Sequence, residues 1–383
     1  MKRFSIIASA VLAALILASC AGKAAKSNTI KIGVFEPLTG ANGAGGADEA
    51  EGVKLANALY PKVTVGGKEY AIELVVADNK SDKVEAANAA TMLAQQAKVN
   101  AVIGSWGSSL SMSGGPIFAE AKIPAVGASC TNPNVTKDNN FYFRVCFLDP
   151  FQGEVMATYA FKNFGAKKAA IIREVSNDYS VGLAKFFEDS FVKLTGDANA
   201  IVATSDYNTG DQDFNAQLTN IMKFKPDVIF APGNFTESAL IIKQARQLGI
   251  TTQFLGGDTW DENAFLSVGG KEVEGAVIST FFANDVPINP TSELFLKEFR
   301  AKYSKDPAAV AALGFDAYLV ILDAIKKADS TDPVKIRDMI AKTTNFEGAA
   351  GSITINEDRN AVKDAVIKVV KDGKFQYLTT VKP

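Results

Sequence analysis

The chain has 383 residues, 47% of them hydrophobic and 21% charged, with a formal net charge of −2 and no histidine. Such a chain can bury a large core and is long enough for two domains. Without an imidazole it has no Ser-His or Cys-His nucleophile pair and none of the usual zinc sites, and without a basic block it offers nothing to nucleic acid.

The N-terminus begins with the basic Met1-Lys2-Arg3, and Phe4 to Leu17 is apolar apart from Ser5 and Ser9. This is signal-peptide anatomy, too short to span a bilayer comfortably. It runs into Leu17-Ala18-Ser19-Cys20, which resembles a bacterial lipobox and implies cleavage after residue 19 with a diacylglycerol on Cys20. An ordinary signal peptide cut near the same place is the alternative. Loss of Lys2 and Arg3 takes the net charge from −2 to −4. Residues 20–28 then read as a tether. No second apolar stretch approaches spanning length, so membrane contact is expected through the N-terminal lipid only.

From Thr29 onward, short β-branched runs alternate with longer amphipathic segments. Strands are predicted at Ile30-Phe35, Ala71-Ala77, Ala101-Ile103, Ala125-Gly127, Ala169-Ile172, Ala200-Thr204, Val228-Ala231 and Val277-Thr280. Helices are predicted at Glu49-Leu59, Lys83-Ala97, Val181-Leu194, Phe214-Phe224 and Glu237-Leu248. This order builds an α/β protein with doubly wound parallel sheets, whose strands, covered on both faces, read as nearly continuous apolar runs. Asp82 is placed to cap the helix at Lys83, and Gly249 to end the one closing at Leu248.

Several motifs fail on inspection. Gly127-Ala128-Ser129-Cys130-Thr131 has Thr where a nucleophile elbow needs its second Gly. In the loop Thr39 to Gly46, Asp48 stands where a dinucleotide fingerprint needs its third Gly, which leaves a close-approach surface or a flexible turn. Cys130 and Cys146 read equally as a disulfide or as two buried thiols.

Ligands of open α/β sheets sit at the carboxyl ends of the strands. There the chain has Gly104-Ser105-Trp106-Gly107-Ser108-Ser109 and Gly127-Ala128-Ser129-Cys130-Thr131-Asn132-Pro133. Both are rich in small hydroxyl residues, which together with backbone N–H groups suit a carboxylate; helix capping is the simpler role for any one of them.

An ordered set of motifs now carries a resemblance: Ile30-Lys-Ile-Gly-Val-Phe-x-Pro-Leu-Thr-Gly40, Ala77-Asp78-Asn79, Ile103 to Ser109, Ser129-Cys-Thr131-Asn-Pro133, Asp178-Tyr179-Ser-Val-Gly182, Gln244-Ala-Arg246-x-Leu-Gly249 and Ala312-Leu-Gly314-Phe-Asp316-Ala-Tyr318. Together with Phe143-Arg144, Asp149, Gln152-Gly153 and Asp213-Phe214, they resemble the branched-chain amino acid binding proteins of ABC transporters, which have a type I periplasmic binding fold. The resemblance runs over essentially all of the mature chain. It implies two lobes, 29–147 plus 279–352 and 148–278 plus 353–383, joined by a three-strand hinge. Asp149-Pro150 suits the first crossing, because proline stops a strand and opens a helix. It further implies an exported protein, anchored by lipid to the cell envelope, that closes around a small amino acid and delivers it to an ABC permease, with no cofactor and no catalysis.

Position by position, the resemblance implies that Ser108 and Ser109, with the N–H of Thr131, hold the ligand carboxylate. Ser129 through its carbonyl and Thr131 through its hydroxyl would take the α-ammonium, Asp258 would add a counter-charge on closure, and Tyr179 would cover the ligand. The chain departs from the pattern at Gly45 and Asn234, where relatives commonly carry aromatics; Trp106 and Trp260 are candidates to fill that space, with ordinary core as the other role. A sensory module of the same fold, a binder of another small carboxylate or amide, and a magnesium-dependent catalyst using Asp78, Asp178, Asp258 or Asp316 are the remaining alternatives.

Overall fold

A computed structural model describes residues 28–383; the leader and Cys20 lie outside the described residues. The first stretch runs β1 (Thr29–Glu36), α1 (Gly43–Leu59), β2 (Lys62–Val65), β3 (Lys68–Asp78), α2 (Lys83–Thr91), β4 (Ala101–Ile103), α3 (Ser108–Glu120), β5 (Ala125–Gly127) and β6 (Tyr142–Arg144). Its strands form a six-stranded sheet, here sheet A, in the order β2-β3-β1-β4-β5-β6. The second stretch runs α4 (Asp149–Asn163), β7 (Ala169–Glu174), α5 (Asp178–Thr195), β8 (Ile201–Tyr207), α6 (Asn215–Met222), β9 (Val228–Phe230), α7 (Phe235–Gln247), β10 (Gln253–Gly256), α8 (Asn263–Gly269) and β11 (Val277–Thr280). The chain then makes α9 (Pro290–Tyr303), α10 (Ala309–Ala328), α11 (Pro333–Ile340) and the small pair β12 (Phe346–Gly348) and β13 (Gly351–Ile353), before β14 (Ala365–Lys371) and β15 (Lys374–Val381). Sheet B has seven strands in the order β15-β14-β11-β10-β9-β7-β8.

Each sheet is parallel through its centre, as the βα alternation requires, and β4, β5, β9 and β11 are buried along their whole length. The sheets are mixed rather than purely parallel, because the hairpin partner β2 and the C-terminal β14 and β15 pair antiparallel. Asp82 caps α2 as expected, its Oδ1 accepting from the N–H groups of Val84 and Glu85 at 2.8 and 2.9 Å. Gly249 follows Leu248 with φ +74°, the left-handed residue that ends the helix. Pro150 stands in the first turn of α4, where its missing N–H costs nothing.

One helix departs from expectation. Helix α1 starts at Gly43, so the second half of the glycine-rich loop, residues 43–46, is its first turn. Further along, α1 and α10 touch backbone to backbone: a Cβ on Gly52 would lie 1.8 Å from the Ala311 carbonyl oxygen, and one on Gly314 would lie 2.3 Å from that of Glu49. Cys130 and Cys146 are buried free thiols, which decides between the two readings of the pair. In sheet B, the Phe187 ring stacks on Phe230 at 4.2 Å and on Phe191 at 5.5 Å, tying α5 to the strand beneath it.

Candidate functional site

The carboxyl ends of the central strands of both sheets face one shared cavity of about 80 Å³. Each loop there supplies a wall. Asn42 follows β1, Ser81 and Lys83 follow β3, Trp106 and Ser108 follow β4, and Ser129 follows β5; from sheet B come Asn177 after β7, Thr209 after β8, Asn234 after β9 and Asp258 after β10.

Ser108 is the first residue of α3, behind Gly107 at φ +88°. Its hydroxyl accepts from the Asn132 N–H at 3.1 Å, which joins the two hydroxyl-rich loops into one wall. The free N–H groups of a helix's first turn suit a carboxylate. Ser109 also lines the cavity, but its hydroxyl closes a contact between the sheets: it donates to Asp178 Oδ2 at 2.7 Å and accepts from the Asp178 N–H at 3.0 Å. Lys83 Nζ reaches the same carboxylate at 3.0 Å, and the Asn132 amide donates to the Asp178 carbonyl at 2.9 Å. Asn234 makes a second such contact, donating to Asn42 Oδ1 at 2.9 Å. The loops of the two sheets therefore meet over the cavity.

Ser129 lines the cavity while its hydroxyl donates to Glu49 Oε2 at 2.5 Å. Glu49 faces a second buried carboxyl, Glu36, whose Oε2 accepts from the Trp106 N–H at 2.6 Å. Burial raises both acids, and Glu36 is raised further by Glu49 beside it. This acid pair underpins Ser129 and Trp106 from below and went unnoticed in the sequence, where two glutamates thirteen positions apart on different elements give no signal.

Asp258 opens a short 3-10 turn after β10 and is buried. Its Oδ1 accepts from Gln152 Nε2 at 2.7 Å and from the Tyr179 hydroxyl at 2.9 Å. The preceding Gly257 is required by this arrangement, since a Cβ there would lie 2.1 Å from the Tyr179 hydroxyl. Burial raises the Asp258 carboxyl to about 6, against the opposing pull of its Gln152 and Tyr179 hydrogen bonds. Asp149, buried at the start of α4, is raised by burial to about 8, and the Thr131 hydroxyl beside it offsets only part of this. Among the described residues neither Asp149 oxygen has a hydrogen bond of good geometry. The two neighbouring acids are thus pushed apart: at neutral pH Asp149 is mostly protonated and Asp258 mostly ionised, so the charge of this pair sits on Asp258 at the cavity wall.

The remaining candidates divide. Trp106 lines the cavity, and its indole occupies the space over Gly45, where a Cβ would lie 2.6 Å from the ring. Thr131 is fully buried and not in the cavity lining; its carbonyl accepts the Asp149 N–H at 3.1 Å. Trp260 is core: it covers Gly256 and stacks on Phe265 at 4.8 Å, away from the lining. Asp78 braces the loop after β1, accepting from Leu38 and Lys80 N–H groups at 2.8 Å each, and Asp316 is buried under the N–H groups of Ala349 and Ala350. No cluster of acidic or sulfur ligands suited to a metal occurs among the described residues.

A cavity walled by the strand ends of two α/β sheets, with one buried ionised carboxylate facing a serine-rich helix start, is built to enclose a small solute. Residues 29–374 match the family model described as "Periplasmic binding protein". The chain belongs to the periplasmic binding protein family. As a member it is an extracytoplasmic solute-binding protein of the ABC-transporter kind and not an enzyme.

Among solved structures, this binding protein is similar to the leucine binding protein LivK of Thermotoga maritima, with 42% sequence identity, a TM-score of 0.88, and coverage of 93% of this chain and 99% of that one. It is also similar to the branched-chain amino acid transporter substrate binding protein LivJ of Streptococcus pneumoniae, solved with isoleucine: 33% identity, TM-score 0.85, coverage 93% and 100%. A Leu/Ile/Val-binding protein homolog of Brucella suis is 28% identical over 355 residues, 91% of this chain and 93% of that protein. A Pseudomonas aeruginosa relative, named for binding leucine, isoleucine, valine, threonine and alanine, is 26% identical over 93% of this chain and 94% of its own length.

Proposed function

We propose that this periplasmic binding protein captures a small amino acid, branched-chain or related, by its zwitterionic head and delivers it to an ABC permease. The observation that carries this reading is Asp258: a buried, ionised carboxylate, fixed by Gln152 and Tyr179 on the sheet B side, sharing a cavity with the Ser108 helix start of sheet A. Ser108 and neighbouring N–H groups take the ligand carboxylate, and the Ser129 carbonyl and Asp258 take its ammonium. In this reading the lobes are 29–147 plus 279–352 and 148–278 plus 353–383, and they close about the three crossings. The Ser109–Asp178 and Asn42–Asn234 contacts stabilise closure once a ligand bridges the cleft. Cys20 carries the lipid that holds the protein to the cell envelope.

The test is isothermal titration of the soluble form beginning at Ala21, stripped of co-purified ligand by unfolding and refolding, against the proteinogenic amino acids. One-to-one binding of one or a few is the expected result. A blank from well-folded protein overturns the reading.

A further inference from the structure

We infer that the end of the cleft remote from the head-group partners selects a small neutral side chain bearing a hydroxyl or carboxamide over an aliphatic side chain of the same shape. This deepens the amino-acid reading above and rests on it.

The walls that carry no head-group role are polar almost throughout: Asn42, Glu174, Ser176, Asn177, Thr209 and Asn234. They form one hydrogen-bonded chain across the cleft. Asn42 accepts from Asn234 at 2.9 Å; Asn234 accepts from Asn177 at 3.3 Å; Asn177 donates to Glu174 Oε2 at 3.1 Å. Glu174 Oε1 accepts from the Thr209 hydroxyl, which pairs with the Ser176 hydroxyl at 2.8 Å. Glu174 and Asn234 are 1% and 3% exposed and Asn42 and Asn177 are half-buried, so the amide part of the chain is held inside the protein, while Ser176 and Thr209 stand at its exposed end.

The one large apolar surface nearby is spoken for. Trp106 lies over Gly45 and packs edge-on against Phe235 of sheet B at 6.2 Å, so its ring closes the cleft rather than leaving an aliphatic slot open. A Leu, Ile or Val side chain pressed against the amide chain would strip water from it and return no hydrogen bond; a hydroxyl or carboxamide replaces the water it displaces. Charged side chains fit less well. An acidic one would meet Glu174 and Asp258, with Lys83 already paired to Asp178. A long basic one would find both Glu174 oxygens already holding donors.

Threonine and valine share a shape and differ by a hydroxyl against a methyl, so titrating the stripped soluble protein with each isolates the effect; asparagine and leucine form a second such pair. Threonine is expected to bind at least about tenfold tighter than valine, because a site built around hydrogen-bonding groups rejects the analogue that leaves them unpaired. In Asn234→Leu, with its fold checked by the unfolding midpoint, that ratio is expected to fall to about one or to invert. If Asn234→Leu does not fold, the wild-type threonine-to-valine ratio decides alone. Valine or leucine binding tighter than threonine and asparagine overturns the inference and leaves the amino-acid reading standing. No binding by any amino acid overturns both.

Discussion

Replacing Asp258 with alanine removes the carboxylate held by Gln152 and Tyr179 at the cavity wall while keeping the backbone of the turn that presents it. The ligand ammonium, dehydrated when the loops meet over it, then has no counter-charge; breaking a buried ion pair from one side costs about 3–5 kcal/mol. At 1.4 kcal/mol per factor of ten, this corresponds to a rise in Kd of about two to three and a half orders of magnitude. The control is Asp78→Ala. Asp78 holds the Leu38, Thr39 and Lys80 N–H groups and the Thr39 hydroxyl, bracing a loop without lining the cavity. Its loss is expected to lower the unfolding midpoint and to change Kd by less than about tenfold. Titration calorimetry on both variants, each checked by a thermal melt, decides the matter. Equal effects on Kd would refute the assignment of Asp258 to the ammonium.

Other outcomes follow from the same geometry. Because the unliganded Asp258 carboxyl is raised to about 6 and binding requires it ionised, affinity is expected to be flat above pH 7 and to fall by up to about tenfold per pH unit below 6, read by calorimetry in buffers of different ionisation heat. Asp149, raised to about 8 from an ordinary value near 4, binds its proton more tightly folded than unfolded. Its contribution to stability is therefore complete below about pH 4 and is lost as pH rises through 8. Asp149→Asn is expected to flatten the decline of the unfolding midpoint between pH 6 and 9, and an unchanged slope would count against the assignment. Gly257→Ala puts a methyl 2.1 Å from the Tyr179 hydroxyl and should displace it from Asp258, weakening binding about tenfold or more with the fold intact by circular dichroism. Asp178→Ala removes a half-exposed ion pair and two bonds to Ser109; stability should change by under about 1 kcal/mol, while small-angle scattering of the liganded protein should show a more open average shape.

Much of the architecture was legible because strands covered on both faces are nearly continuous apolar runs: β4, β5 and β9 read directly as such, and β1 and β11 do over most or half of their length. The edge hairpins were harder, since half-exposed strands alternate and carry less apolar signal. Their turns were nevertheless written in the chain, as Gly66-Gly67 with φ +55° and +72° between β2 and β3, and Asp372-Gly373 with φ +54° and +70° between β14 and β15. Helix α1 began earlier than its hydrophobic pattern because three of its first four residues are glycine, which weakens the helical signal.

The sequence by itself determined the βα order, the caps at Asp82 and Gly249, and the hydroxyl-rich strand ends that become the cavity wall, because these depend on local period, local conformation and the types of residue that follow a strand. Only the tertiary structure decided which of those residues face the cavity and what each touches there. Trp106 and Trp260 occupy similar loops, yet one closes the cleft over Gly45 and the other is core against Phe265. Ser108 and Ser109 are neighbours, yet one joins the two loops of sheet A and the other latches the sheets through Asp178. Asp149 and Asp258 are both acidic, yet burial that the Thr131 hydroxyl only partly offsets keeps one protonated, while Gln152 and Tyr179 keep the other charged. Such differences arise from burial and from partners as much as a hundred positions away, which no local pattern along the chain records.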